Sequence, residues 1–462
     1  MGDYYSPILR NWIFPFRQKL QKRDYLQMMA EAQTNQYLSR DALRGIQFNK
    51  LKALLDHSYN TVPFYKNFFK QAGVSPEDIR TWDDFRNVPI LTKDQIRDDP
   101  DQFLSTSPRT KVSKLSKSGS TGLPLTFYLS QTAFAADLVC RYRALKWWGV
   151  ELGDRHIELW GTDYADIVKP GLKAAVEARL IKPLEDQVMN RKSLAIKILT
   201  PDNLERNWRV MQSYQPKYLF GFASAMYVFA QFIRERGYDG QSLGLELLVT
   251  FGEVLYDWQR DEFAKVFGCP TADEYGATEV GLIAYGHPCG DMHIMDDYMV
   301  VEIVKSDPQD QLGEVVVTNL ENWGSPLVRY NLQDLAYPLE ESYSCPLSLG
   351  FSRLESIVGR HNDSIQLSDG RIIYSSFFTE LIPILEYVHN FQVNQNLPDR
   401  FEVLIVTNTE EEALDAERFI QTRMHKLLGP VDVCVKHIPD FPTEASGKLR
   451  FVRSEVEWND LS

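Results

Sequence analysis

The sequence predicts an α/β fold in two unequal parts, a large one of mixed sheets and helices followed by a small α+β unit. Three observations carry this. Apolar, β-rich runs at 156–160, 217–220, 246–251, 300–304 and 313–318 alternate with helical spacings at 204–214 and 223–236, the pattern of a mixed α/β core. Beyond a joint at 359–363 the character changes: a short strand at 364–367, the turn Ser368-Asp369-Gly370, a helix near 377–387, strands at 391–393 and 401–407, a helix at 411–428 and a strand at 431–437 form a compact set. Finally, 462 residues with 44% apolar and 24% charged side chains can build about two or three core-forming units. The chain therefore divides into 1–358, a joint at 359–363, and 364–462.

Residues 1–23 hold Arg10, Arg17, Lys19, Lys22 and Arg23 against the single acid Asp3, interleaved with Ile8, Leu9, Trp12, Ile13, Phe14 and Phe16. Such a stretch either lies on an anionic membrane surface or packs as an arm on its own domain. From 39 to 72 the apolar spacing, as in Ile46, Leu51, Leu54 and Leu55, is helical, with Gly73 as the stop. A connector with the turn-prone Val88-Pro89 and Thr92 covers 83–99.

The stretch 116–124 reads S-K-S-G-S-T-G-L-P. Two glycines and short hydroxyl side chains leave the backbone free to curl, so successive N–H groups and hydroxyls can face one anion, such as a nucleotide phosphate. It lacks the G-K-[ST] ending of a Walker A loop, and a strand at 125–130 follows it where that motif requires a helix. Ser130 then caps a helix over 131–148 that Gly149 ends.

A net charge of −13 argues against nucleic acid as a partner. No run of eighteen apolar residues marks a membrane span, and no secretory leader is evident at the N-terminus. Five scattered cysteines (Cys140, Cys269, Cys289, Cys345, Cys434) do not make a disulfide framework. Together these give the expectation of a cytoplasmic protein; the oligomeric state is open, a homodimer included.

Three further stretches carry chemistry. In Asp273-Glu274-Tyr275-Gly276-Ala277-Thr278-Glu279 an apolar approach leads to a Gly turn, beyond which Thr278 could bind a phosphate oxygen and Glu279 a Mg²⁺ ion. In 329–334, Arg-Tyr-Asn-Leu-Gln-Asp, Asp334 could accept two ribose hydroxyls from a loop. In 443–450, Lys448 after Gly447 presents one long cation.

In this order and at these separations, the chain resembles the adenylate-forming superfamily of acyl-CoA synthetases, in the branch of phenylacetate–CoA ligases and their capsule-biosynthesis relatives, from about residue 40 to the end. Ser118, Gly119, Ser120, Thr121 and Gly122 look like the family's phosphate loop, Tyr275 to Glu279 like its substrate and Mg²⁺ motif, and 330–334 like its ribose-binding segment. Gly359-Arg360 is similar to the start of the hinge, and Ser446-Gly447-Lys448 to the terminal lysine motif.

The resemblance implies a large ATP- and acid-binding domain (1–358), a hinge (359–363) and a small mobile C-terminal lid (364–462) carrying the lysine. It also implies a two-step reaction: a carboxylate attacks the α-phosphate of ATP to give an acyl-adenylate, and a thiol, that of coenzyme A, takes the acyl group. Lys448, Thr278 and Glu279 would then be catalytic. Phe251, Gly252, Glu253, Asp273, Glu274, Tyr275 and Gly276 would line adenine, with Asp334 and Arg360 at the ribose. Two alternatives stay open: transfer of the acyl group to an amine or sugar, and a non-catalytic nucleotide-binding relative.

The chain departs from the family pattern at Asn362, where the hinge usually has aspartate, and at Leu332-Gln333, where Thr-Gly usually precedes the ribose aspartate. His287, Cys289, His293 and Cys345 form a set of soft and imidazole donors suited to a structural Zn²⁺, with Cys269 or His287 as the fourth ligand and ordinary buried residues as the other reading. For the acid, Trp160, Gly161, Tyr164, Phe220, Gly221, Phe222, Ser224 and Tyr275 offer an aromatic pocket with small residues, none of which names the substrate.

Overall fold

A computed structural model describes the protein at residues 5–21, 23–107, 111–117, 125–160, 182–195, 201–307, 309–339, 345–360, 365–369, 371–373, 377–378, 381–382, 385, 387–439, 441 and 451–456. The phosphate-loop candidates Ser118 to Gly122, the pocket candidates Gly161 and Tyr164, the joint 361–363 and Lys448 lie outside these residues, as do the side chains of Trp160 and Arg360.

The centre is an eight-stranded sheet. Arg191–Ala195, His156–Trp160, Tyr218–Gly221, Leu247–Phe251 and Thr271–Ala277 lie side by side in parallel. The antiparallel strands Gly281–Gly286, Met292–Ile294 and Arg353–Leu354 then extend the sheet. Two of its inner strands, Tyr218–Gly221 and Leu247–Phe251, are nearly all apolar: Leu247, Leu248 and Val249 are fully buried. A second, four-stranded antiparallel sheet takes Met299–Val304, Gly313–Asn319, Tyr330–Ala336 and Ile357–Arg360. Val112–Lys117 and Leu125–Ser130, which flank the expected phosphate loop in sequence, pair antiparallel.

Helix Gln131–Trp147 starts where Ser130 accepts the Ala133 N–H and ends before Gly149 at φ +75°, as the sequence predicts. Its Arg143 is buried against Asp297, at 2.6 and 2.9 Å, tying the helix to the chain after Met292–Ile294. The single helix expected over 39–72 is two, Arg40–Thr61 and Pro63–Gln71, because Pro63 removes an N–H and moves Val62 to extended φ and ψ. The connector 83–99 carries two short helices, Trp82–Phe85 and Lys93–Asp98, each opened by a threonine capping box.

At the N-terminus, Tyr5–Ile8, the π-turn Leu9–Ile13 and Phe14–Leu20 follow one another as a helical arm. It buries Ser6, Leu9, Phe14 and Gln18 and leaves Trp12 75% and Phe16 64% exposed. No described helix is long and apolar enough to cross a membrane. In the C-terminal residues the strands run Asp432–His437, Arg400–Val406, Asn390–Leu397, Val452–Ser454, with helix Glu410–Leu428 packed on them through Ala416, Ile420 and Met424. Of the helix expected near 377–387, residues 379–380, 383–384 and 386 lie outside the described residues.

Candidate active site

Strand Thr271–Ala277 organises the site. Successive side chains of a strand point to opposite faces, and here the two faces have different partners. On one, the Thr250 hydroxyl donates to Asp273 at 2.8 Å, and the Tyr275 hydroxyl donates to Asp334 Oδ2 at 2.8 Å. On the other, Glu274 turns to helix Gln131–Trp147, where Arg141 donates to both of its oxygens at 2.9 and 2.7 Å and also reaches Asp137. Glu274, expected against a base, is thus the partner of an arginine on the opposite side of the sheet from Tyr275.

The turn expected at Gly276 is not there. Gly276 is within the strand, and a Cβ on it would fall 2.7 Å from the Gly281 carbonyl oxygen. Glycine is required because the antiparallel neighbour closes in, with a register shift between Tyr275 and Gly276. The turn begins one residue past the strand, leaving Thr278 exposed while Glu279 is buried, its Oε1 accepting from the Tyr330 hydroxyl at 3.1 Å. Asp334 likewise stands on a strand, Tyr330–Ala336, and not in a loop; it is paired in register with Arg360. A polar N-x-Q-D sequence hides that strand, whose alternate residues Tyr330 and Leu332 are buried.

The neighbouring strands supply the remaining wall. Phe251, in register with Glu274, ends its strand stacked on Phe220 at 4.4 Å and close to Phe222 at 4.9 Å. Gly252 follows at φ +71°. This left-handed turn leads to Glu253, which accepts from the N–H and hydroxyl of Ser224 at 2.9 and 3.0 Å at the start of helix Ala223–Glu235. Gly221 lies in register with Leu159 of the next strand, and a Cβ there would meet Leu159 Cβ at 2.7 Å. The structure therefore joins two sets of candidates, Phe251 and Glu253 with Phe222, Gly221 and Ser224, and separately joins Tyr275 with Asp334.

Burial pushes the Asp273 carboxyl up to about 6, against the Thr250 hydrogen bond that favours its charged form. Arg141 was not among the expected site residues. Its signal was present as an acid and a base at i and i+4, Asp137 and Arg141, on a predicted helix.

A second cluster lies at the far edge of the central sheet. One ligand atom from each of His287, Cys289, His293 and Cys345 comes within 4.8 Å of the others, Cys289 Sγ and His293 Nε2 being 3.6 Å apart. His287 and Cys289 lie on the connection 287–291 between Gly281–Gly286 and Met292–Ile294, His293 lies on the latter strand, and Cys345 arrives from the chain before Arg353–Leu354. Burial lowers the pKa of His287 and lowers that of His293 to about 4, so both rings are neutral donors at pH 7. Two thiols and two neutral imidazoles are the donor set of a closed tetrahedral Zn²⁺ site.

Residues 365–455 match the CapK C-terminal domain family. The chain is 25% identical to a phenylacetate–coenzyme A ligase of Thermus thermophilus over 369 residues, 77% of this chain and 79% of that one. It is 24% identical to the Escherichia coli enzyme of the same name over 427 residues, 87% and 92% of the two chains. Among solved structures, 2-hydroxyisobutyryl-CoA ligase in its post-adenylation state superposes with a TM-score of 0.72 at 17% identity, covering 91% of each chain. Against the same ligase the TM-score is 0.58 for the open form (18% identity, 90% of this chain and 91% of that) and 0.60 for the thioesterification state (18%, 91% of each). The chain is thus similar over most of its length to phenylacetate–CoA ligases, shares the fold of acyl-CoA ligases, and matches the CapK family in its C-terminal region.

Proposed function

We propose that the protein activates a carboxylic acid with ATP and passes the acyl group to the thiol of coenzyme A. In the first step a carboxylate oxygen bonds to the α-phosphorus, the bond to the β-phosphate oxygen breaks, and pyrophosphate leaves. In the second, a thiolate attacks the acyl carbon and AMP leaves. The observation that carries this reading is the meeting of two distant segments, with the Tyr275 hydroxyl on Asp334 and the Tyr330 hydroxyl on Glu279. That network joins strands Thr271–Ala277 and Tyr330–Ala336, which supports reading Asp334 as a ribose acceptor next to the acid.

In this reading Asp334 and Arg360 hold the ribose and Phe251 to Glu253 flank the base. Ser118 to Gly122 and Thr278 receive the leaving phosphates, and Lys448 bridges the carboxylate and α-phosphate, where negative charge accumulates. Glu279 is only 2% exposed and offers a hard oxygen donor held by a hydroxyl, which fits one protein ligand of Mg²⁺; bound there, the ion would screen phosphate charge. Phe220, Phe222 and Tyr275 form the apolar end of the acid pocket, with Gly221, Ser224, Trp160, Gly161 and Tyr164 around it. The domain plan 1–358, hinge 359–363 and lid 364–462 belongs to the same proposal.

The test is to incubate the protein with ATP, Mg²⁺, coenzyme A and a panel of aryl, hydroxy and fatty acids and weigh the products. Equal AMP and acyl-CoA support the reading. AMP without thioester, with a new amide or ester when amines or sugars are added, favours the other acceptor. ATP binding with no AMP from any acid favours a non-catalytic relative.

Two smaller proposals accompany it. His287, Cys289, His293 and Cys345 hold a structural Zn²⁺, favoured by their convergence within 4.8 Å. Residues 1–23 contact an anionic membrane surface, favoured by five basic residues against one acid beside the exposed Ile8, Trp12, Phe16 and Leu20; liposome co-sedimentation unchanged by Trp12→Ser with Phe16→Ser would dismiss that contact.

A further inference from the structure

We infer that Tyr256, Trp258 and Phe451 form an aromatic latch that holds the C-terminal unit in its adenylate-forming orientation and so positions Lys448; this rests on the two-step reading above. The large unit's half of the latch lies at the start of helix Asp257–Phe267. There the Tyr256 and Trp258 rings are parallel at 6.0 Å, and Tyr227 braces Trp258 edge-on at 4.7 Å. Phe451 meets both rings edge-on, at 6.2 Å and 75° to Tyr256 and at 6.0 Å and 80° to Trp258, the arrangement that aromatic quadrupoles favour.

Phe451 is itself fixed to the small unit. Its ring lies 4.9 Å from that of Phe391, and its carbonyl accepts from the Val393 N–H at 2.7 Å, next to the parallel pairing of Val393 with Val452. Gripping Phe451 therefore grips the small sheet. Lys448 stands three residues earlier in the chain, a span of at most about 11 Å, so the grip also limits where the lysine can range. A polar contact close by, from Gln231 Nε2 to the His389 carbonyl at 3.3 Å, joins the same two units.

Two features suit this contact to being made and broken. The Trp258 indole N–H is buried with no acceptor among the described residues, a penalty relieved once the units part and water reaches it. The overall arrangement also matches a post-adenylation state of a solved ligase, TM-score 0.72, better than that ligase's open or thioesterification states, 0.58 and 0.60. The latch is thus present in the orientation it would serve. Tyr256, Trp258 and Phe451 are positioning residues in this scheme: none touches a reacting atom.

The experiment uses the full chain carrying fluorophores at Arg209→Cys and Leu414→Cys, both exposed sites, with the exposed Cys434→Ser. Single-molecule energy transfer with ATP and Mg²⁺ reads the ratio of latched to unlatched molecules. Trp258→Ala should lower that ratio roughly tenfold, the consequence of losing an edge-on pair, while Trp258→Phe should keep most of it. In parallel, with phenylacetate as probe acid, Trp258→Ala should slow ATP–pyrophosphate exchange by a similar factor. It should leave thioester formation from supplied phenylacetyl-adenylate and coenzyme A undiminished. An unchanged ratio in Trp258→Ala overturns the latch, as does an equal fall in both half-reactions. If the wild type exchanges nothing with phenylacetate, it is the functional reading that suffers, while the fluorophore ratio still decides the latch.

Discussion

Arg141→Met is the substitution whose effect can be worked most fully from the structure. Arg141 makes two charge-assisted hydrogen bonds to Glu274, at 2.9 and 2.7 Å, and a third to Asp137 at 3.1 Å. Glu274's side chain is 7% exposed and Arg141's is 28% exposed, so the carboxylate depends on the guanidinium much more than the reverse. Removing one partner of a buried pair costs about 3–5 kcal/mol because the other charge is stranded; partial water access at Arg141 brings the expectation down to ~2–3 kcal/mol. Methionine keeps the stem's apolar contacts and removes the charge with its hydrogen-bond donors. Urea unfolding should show this loss, and the double variant Arg141→Met with Glu274→Gln should recover part of it, since the buried Glu274 charge is then gone and only the more exposed Asp137 carboxylate is left without its arginine. A single variant within about 0.5 kcal/mol of wild type would refute the reasoning, as would a double variant no more stable than the single one.

Three further outcomes are expected. Gly276→Ala places a Cβ 2.7 Å from the Gly281 carbonyl oxygen and must push the two strands apart; it should lower the melting temperature and weaken ATP binding together, which equilibrium dialysis and a thermal melt would read. Metal analysis of protein purified without added zinc should give about one Zn²⁺ per chain; Cys289→Ser should reduce that content and the melting temperature without altering nucleotide affinity, because the cluster lies at the sheet edge away from Tyr275. Asp273, with its carboxyl pushed up to about 6 by burial, binds its proton more tightly folded than unfolded. It therefore favours the folded state at low pH and loses that contribution as pH rises from about 4 through 6. Asp273→Asn should make the stability profile shallower over that interval, to which Asp296, also pushed up to about 6 by burial, contributes as well; an unchanged profile would mean Asp273 is not among the groups responsible.

How much of this was legible from residues alone depended on whether the cause was local. The helix from Gln131 was readable because its two ends are set by Ser130 and Gly149 themselves, and the inner parallel strands at 156–160, 218–221 and 247–251 were readable because they are largely apolar, whereas the charged Arg191–Ala195 and Thr271–Ala277 were not. Gly276 was misplaced into a turn, since a glycine demanded by a neighbouring strand looks in sequence like one demanded by a positive φ. Asp334 looked like a loop acid because Asn331, Gln333 and Asp334 mask the buried alternation of Tyr330 and Leu332. The break at Val62 was overlooked although Pro63 announces it. Arg329 passed unnoticed as a structural residue: at φ +49° it pairs with Glu302 and donates to the Arg86 carbonyl, contacts that depend on tertiary neighbours. The convergence of Cys345 with residues 287–293 was guessed from donor chemistry, and only the fold supplies the distance.

The central claim, that segments far apart in the chain assemble one adenylating site, is tested most directly by ATP–pyrophosphate exchange across the acid panel in wild type, Tyr275→Phe and Lys448→Ala. Tyr275→Phe removes one hydroxyl that donates to Asp334 at 2.8 Å and should slow exchange by about tenfold, the worth of one hydrogen bond to a charged acceptor. Lys448→Ala should abolish exchange with whichever acid the wild type accepts. Exchange at the wild-type rate in the lysine variant would contradict the account.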